Sequence, residues 1–209
     1  MPQEKTPTAR RGRPSADQTR LRMAHLIGVA RTIFVARGYR LTTMDEVAAA
    51  AGITKRTLYA WHRDKAALFR ACVVAGAERF PGLTPASDGG GDVRGALERY
   101  VMALHGELTR EDSFGMGMLS MRESAEFPEL VEAVQRGHLD YMVEPLARWL
   151  RGHGLEAAGS VERTMLFLAM ALSPMHNTMM VGLPLPGRDD LARHAARCVA
   201  LFLDGALKA

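Results

Sequence analysis

The densest group of hydrogen-bond donors in this 209-residue chain lies in "TKRTLYAWH", residues 54–62. Lys55 and Arg56 stand among the hydroxyls of Thr54, Thr57 and Tyr59, and the small Ala60 separates Tyr59 from Trp61. No nucleophile is paired with a base here, so the group suits binding rather than bond making. An Arg fork matches the O6 and N7 acceptors of guanine. Lys, Thr and Tyr can bond phosphate oxygens, which fixes register without reading bases. A small residue such as Ala60 lets a helix lie close in the groove and touch a thymine methyl.

Other chemistry finds little support. "HRD" at 62–64 lacks the downstream pattern of a kinase catalytic loop, and "GMG" at 115–117 follows no strand, as a nucleotide loop would. Cys72 and Cys198 lie far apart, without ligand-spaced partners. His105, His138 and His176 lack metal-ligand spacing with Cys or acidic residues. The expectation is no catalytic residue, no metal and no cofactor. No apolar run approaches the roughly 18 residues of a membrane span, and the N-terminus has no apolar leader core. With two cysteines read as buried thiols, the expected compartment is a reducing cytoplasm.

The donors need elements to hold them. With Leu58 inward and about 100° per residue, Arg56 and Ala60 point outward, with Thr57 and Tyr59 on the flanks. Thr54 caps this helix. Before it, Thr43 and Glu46 form a capping box for a helix that ends at Gly52, with Ala48–Ala51 allowing close approach. Two short helices joined by a Gly turn match a helix-turn-helix over residues 43–62. Upstream, a Ser15/Gln18 capping box opens a helix whose stripe is Met23, Leu26, Ile27, Ala30, Ile33 and Phe34, closed by Gly38 as a left-handed cap. Asp64 caps a fourth helix running to about residue 80.

Charge separates these elements from the rest. Residues 1–70 hold 14 Lys+Arg against 5 Asp+Glu, whereas residues 71–209 hold 13 against 18. A basic front on an acidic remainder directs a polyanion to the front. Residues 1–14 are Pro-rich and aperiodic, and read as a disordered basic arm carrying Arg10, Arg11 and Arg13. Two readings stay open for it, a solvated tail or an arm that tracks phosphates and enters a minor groove.

"TTMDEVAAAAGITKRTLYAWHRDKAALF", residues 42–69, resembles the DNA-binding signature of TetR-family transcriptional regulators. The resemblance extends over about 50 residues from Gln18 to Phe69. It implies that Lys55, Arg56 and Ala60 face bases, and that Thr43, Tyr59, Trp61 and Lys65 contact phosphate. Two residues depart from the pattern. Trp61 stands where a polar or basic contact is common, and His62 stands where the family packs Phe or Tyr.

The resemblance further implies a dimer that binds near-palindromic double-stranded DNA, commonly as a repressor released by a small hydrophobic effector. An activator, an effector-independent binder, or an enzyme or ligand-binding module with an incidental helix-turn-helix are the alternatives. The expected organisation is an all-α chain of about nine helices: arm 1–14, DNA-binding domain 15–82, and effector-binding and dimerisation domain 83–209. "RESAEFPEL" at 122–130 resembles the AefR-like group of C-terminal domains.

In the remainder, helices are expected near 93–110, 115–124, 127–153, 158–182 and 188–207, with Pro174 kinking the fourth of these. The last two carry more apolar residues than one internal face needs, which suggests an intersubunit four-helix bundle. Ten of the 13 methionines lie between residues 102 and 180. Met suits an adaptable apolar pocket as well as ordinary core. The candidate lining is Met102, Phe114, Met118, Met121, Met142, Trp149, Phe167 and Met170, with His105 and His176 as polar anchors, and His138 as a third.

Overall fold

The computed structural model describes residues 15–80, 92–155 and 158–206, so the arm 1–14 with Arg10, Arg11 and Arg13 lies outside the described residues. Among the described residues the fold is all-α. Its helices are α1 (Ala16–Leu41), α2 (Met44–Ala50), α3 (Lys55–Trp61), α4 (Lys65–Ala77), α5 (Val93–Leu108) and α6 (Glu111–Glu123). They continue with α7 (Pro128–His138), α8 (Glu144–Gly152), α9 (Val161–Ala171), α10 (Ser173–Val181) and α11 (Arg188–Ala206). A π-helical turn, Leu139–Val143, makes α7 and α8 one continuous rod, as the expected helix at 127–153 requires. Likewise α9 and α10 abut at Leu172, where one helix was expected. None of the described helices is long and apolar enough to cross a membrane.

The caps explain where the first four helices start. Ser15 and Gln18 form a complete capping box. Thr43, Thr54 and Asp64 each accept the backbone N–H three residues on, at 3.2, 3.1 and 2.7 Å. The expected return bond from Glu46 is not what its carboxylate makes; it pairs instead with Arg37 of α1, tying α2 to the first helix.

Two apolar cores form. One gathers Leu26, Ala30 and Phe34 of α1, Val47, Leu58, Leu68 and Phe69. It also takes Met116 and Leu119 from α6 and Leu130 and Ala133 from α7, so its packing extends well past residue 82. Each fully buried Leu or Phe there contributes about 1.5–3 kcal/mol. Phe34, Tyr39 and Phe69 pack ring against ring, and Phe127 of the α6–α7 corner adds its edge to Tyr39 at 4.9 Å. The second core joins α5, the π turn, α8, α9 and α11 through Leu97, Leu104, Met142, Leu150, Phe167 and Val199.

The break at Leu172 has a definite chemical cause. Pro174 has no N–H, so the Met170 carbonyl lacks its usual helical donor. His194 of α11 reaches that oxygen at 3.0 Å, and His105 of α5 reaches the Ala171 oxygen at 3.0 Å. His194 thus supplies what the proline removes, His105 meets the next carbonyl, and the two tie α11 and α5 to the break.

Candidate nucleic-acid interface and effector cavity

α3 carries the helix-turn-helix face. Leu58 is fully buried beneath it, while Thr54, Lys55, Arg56, Tyr59 and Ala60 are exposed. Gly52 turns the chain before it at φ 63°, a left-handed conformation that an L side chain adopts only with strain. Arg56 has no hydrogen-bond or ion-pair partner among the described residues, so its whole donor fork is available. Lys55 pairs with Asp45 of α2 at 2.5 Å across the turn. The hydroxyls of Thr54 and Thr57 bond each other at 2.8 Å, with Thr57 half-buried. Thr43 is exposed at the start of α2.

Helical stepping places Trp61 and His62 nearer the packed side, and there they lie; Trp61 and Lys65 are the two for which the resemblance implied phosphate contacts. Trp61 is half-buried and packs against the N-terminal core, so its ring is a packing element. His62 ends α3, burial pushes its imidazole below the ordinary 6.5, and its Nε2 is buried without a partner. Lys65 directs Nζ to the carbonyls of Tyr39, Thr42 and Arg40 at 2.7, 3.1 and 3.3 Å, over the Tyr39 ring. All three ammonium donors are engaged inside the protein, where the resemblance implied a phosphate contact. The reason is the end of α1, whose last carbonyls have no helical donors and collect a cation from α4.

The same end of α1 is gripped from the other side by the 122–130 segment. Gly38 breaks the helical path at φ 84° and ψ 163°, which is not the left-handed cap expected, and Tyr39–Leu41 resume it. Glu123 accepts the Arg40 backbone N–H at 3.0 Å, Glu126 pairs with the Arg40 side chain, and Glu129 accepts the Tyr39 hydroxyl at 3.0 Å.

Behind α1 and α4 lies a cavity of about 280 Å³ between those helices and α6, α7 and α10. Met116, Met121, Met142, Met175, Met179 and Phe80 supply apolar wall, and His138 and His176 also line it. Of the candidate lining, Met121, Met142 and His176 meet here. Met102 and His105 line a separate groove of about 530 Å³ against the segment before α11. Trp149 and Phe167 are buried in the second core, Met170 packs against it, and Phe114 and Met118 are half-buried on α6 and line neither space. Helical period identifies apolar faces but not which of two interiors a face meets, and this separated the candidates.

A cavity-lining residue missed in the sequence is Arg31. It lines the cavity and is buried, bonding the Cys72 carbonyl at 2.5 Å and Asp112 at 2.9 Å. Arg79 bonds the same carboxylate at 2.8 Å and Glu107 at 2.6 Å. Burial works against ionising Asp112, yet the two guanidiniums hold it below the usual carboxylate range. Position 31 falls on the buried stripe, four after Ile27 and three before Phe34. A charge at that spacing is the signal that would have found it.

Residues 26–72 match the family model of the bacterial regulatory proteins of the tetR family. No curated protein matches the sequence. Solved structures are similar across the whole fold. The flavonoid-responsive regulator FrrA is 22% identical, with 88% of this chain and 96% of that one covered at a TM-score of 0.70. A TetR transcriptional regulator from Agrobacterium tumefaciens is 22% identical, with 88% and 93% covered at 0.68. A TetR-like transcriptional regulator from Rhodococcus sp. RHA1 is 25% identical, with 93% and 100% covered at 0.60.

Proposed function

From a chain whose residues 26–72 match the family model of tetR regulatory proteins and whose fold is similar to that of TetR-family regulators, we propose a homodimeric, sequence-specific transcriptional repressor that a small hydrophobic molecule releases from its operator. The observation that carries this reading is the outward face of α3, where an unpartnered Arg56 stands beside exposed Lys55, Tyr59 and Ala60 over a fully buried Leu58. An unpaired guanidinium on a rigidly seated short helix is matched to guanine in a major groove. Thr43, Thr54, Thr57 and Tyr59 would position the helix on phosphates, joined by the arm cations Arg10, Arg11 and Arg13. Trp61 and Lys65 would contribute through the seating of α3 and α4.

One short helix reads too few bases for useful specificity. Two copies would address half-sites about 34–36 Å apart on a near-palindrome. The effector would occupy the cavity behind α4, whose walls include α1 and α4 of the 15–82 unit and α6, α7 and α10 of the 83–209 unit. A ligand there acts by favouring one relative placement of those helices, and by no more than its differential affinity. FrrA, similar in fold, is flavonoid-responsive by name, which supports an apolar effector of modest size.

A gel-shift series tests the reading. Arg56→Ala should lose about 1–3 kcal/mol on the operator and relax one base position. An equal loss on random and operator DNA would reject base reading by α3.

A further inference from the structure

We infer that the cavity behind α4 takes an aromatic acid of one or two rings, its body among the methionines and its carboxylate held by His138 and His176. This rests on the reading of that cavity as the effector site. The volume of about 280 Å³ falls just under the range of roughly 300–1,000 Å³ for drug-sized sites, so the occupant is small. Five methionines and Phe80 form the wall. Thioether sulfur packs well against ring edges and adapts to flat shapes.

The polar groups decide the rest. Ser120 donates to the Met116 carbonyl at 2.9 Å, and Ser113 accepts from Arg79 at 3.0 Å and donates to Glu107 at 3.4 Å. Arg31 is committed to Cys72 and Asp112. Each of these side chains already has a protein partner. His138 and His176 have no hydrogen-bond or ion-pair partner among the described residues, and His176 stands near enough to disfavour charge on His138. No carboxylate lines the cavity among the described residues, so a cationic ligand meets no counter-ion there. An acid meets two imidazoles, each with a donor to give.

The groups governing protonation are few. In the free protein burial, and then His176, push His138 below the ordinary 6.5, which favours its neutral form. The remaining charge on the wall, Arg31, is neutralised by Asp112. A carboxylate set between the imidazoles reverses the balance and draws in a proton. Acid binding therefore strengthens as pH falls toward the histidine range, and binding of a neutral isostere does not.

The experiment uses the full chain with 2-naphthoate and its neutral isostere 2-naphthamide, titrated calorimetrically at about pH 6.5 and about pH 8. The naphthoate should bind about tenfold tighter than the amide at the lower pH. That preference should shrink at the higher pH, vanish in His138→Leu and survive in part in His138→Gln. Circular dichroism checks that both variants are folded. Gly117→Leu serves as a cavity-filling control, because its nearest obstacle is the flexible end of Met179. Equal binding of both probes, abolished by Gly117→Leu, overturns the acid assignment and leaves the cavity reading standing. So does a preference unchanged by His138→Leu. Binding of neither probe, or binding indifferent to Gly117→Leu, overturns the cavity reading as well.

Discussion

Lys65 and His62 lie three positions apart and meet the interior in opposite ways. Lys65 keeps its charge because three carbonyls at the end of α1 accept from it. Burial nevertheless lowers its pKa, against the pull of Glu123 and Glu129. Lys65→Met removes the donors and leaves those carbonyls short of partners. The variant should lose about 1–3 kcal/mol of folding stability, read as a lower urea midpoint at unchanged m-value. An unchanged midpoint with a flatter salt dependence of operator binding would return Lys65 to a phosphate role. His62 is half-buried, with its Nε2 buried and without a partner, so charging it in place is costly. Its folded pKa lies below the ordinary 6.5, so between those two values the unfolded chain binds more protons. Its stability contribution is therefore complete above 6.5 and is lost as pH falls through the folded value. His105 and His138 are depressed by burial in the same way, so the whole protein weakens toward acid. His62→Phe should remove only its own share: its melting temperature should gain on the parent as pH drops from about 7.5 to about 5.5. Operator binding should lose acid sensitivity in parallel. A constant gap across that range, or an unaltered pH profile of operator binding, would reject the idea.

At the scale of elements, two glycines test whether the α1–α2–α3 unit is held by conformation or by contact. Gly52 has φ 63° with nothing within 4 Å of an added Cβ, so Gly52→Ala should cost only the left-handed backbone term, about 1–2 kcal/mol. Gly38 has φ 84°, and an added Cβ would meet Glu123 Oε1 at 2.5 Å. Gly38→Ala should therefore cost more than Gly52→Ala by chemical denaturation. Part of the excess should return when Glu123→Ala is combined with it, as a double-mutant cycle measures. Equal costs at the two glycines would mean that the Glu123 contact does not constrain α1. Gly52 was legible as a helix end, as were the caps at Ser15, Thr43, Thr54 and Asp64, because these are local events of three or four residues; Gly38 was legible as a break, but α1 resumes beyond it to Leu41. Helix existence was equally legible, since the period of apolar residues carries through both the π turn and the Pro174 break. The breaks themselves depend on distant partners. His105 and His194 support the Pro174 break from 66 and 24 residues away from the carbonyls they bond. The candidate interface was easier to read than the cavity for the same reason. An exposed helix face is a property of one helix, whereas the cavity is assembled by many elements from α1 to α10, and its Arg31 answers to Asp112, 81 residues on.

At the scale of the whole molecule, the proposed dimer must account for apolar surface that one copy leaves uncovered. On α9, Met165 and Leu166 are 47% and 65% exposed, although Phe167 and Leu168 beside them are buried. On α11, which packs against α9, Leu201 is 67% exposed while Val199 and Leu203 face inward. Met180 and Val181 close α10 at 73% and 70% exposure. A surface of this kind on adjacent helices marks an association site more often than a bare monomer face, and two copies of the pair would form an intersubunit bundle. The net charge of the C-terminal portion is negative, so this face would not compete for DNA. Leu166→Arg combined with Leu201→Arg places like charges across a two-fold contact, where each would have to be desolvated without a partner. The double variant should keep its helical content and sediment at half the parent's mass. Operator affinity should then fall about a hundredfold or more, because the second α3 no longer binds at the effective concentration that the dimer supplies. Binding to an isolated half-site should change little, since α3 itself is untouched. A variant that remains dimeric would move the interface elsewhere on the chain. A monomer that holds the full operator as tightly as the parent would remove the need for two recognition helices.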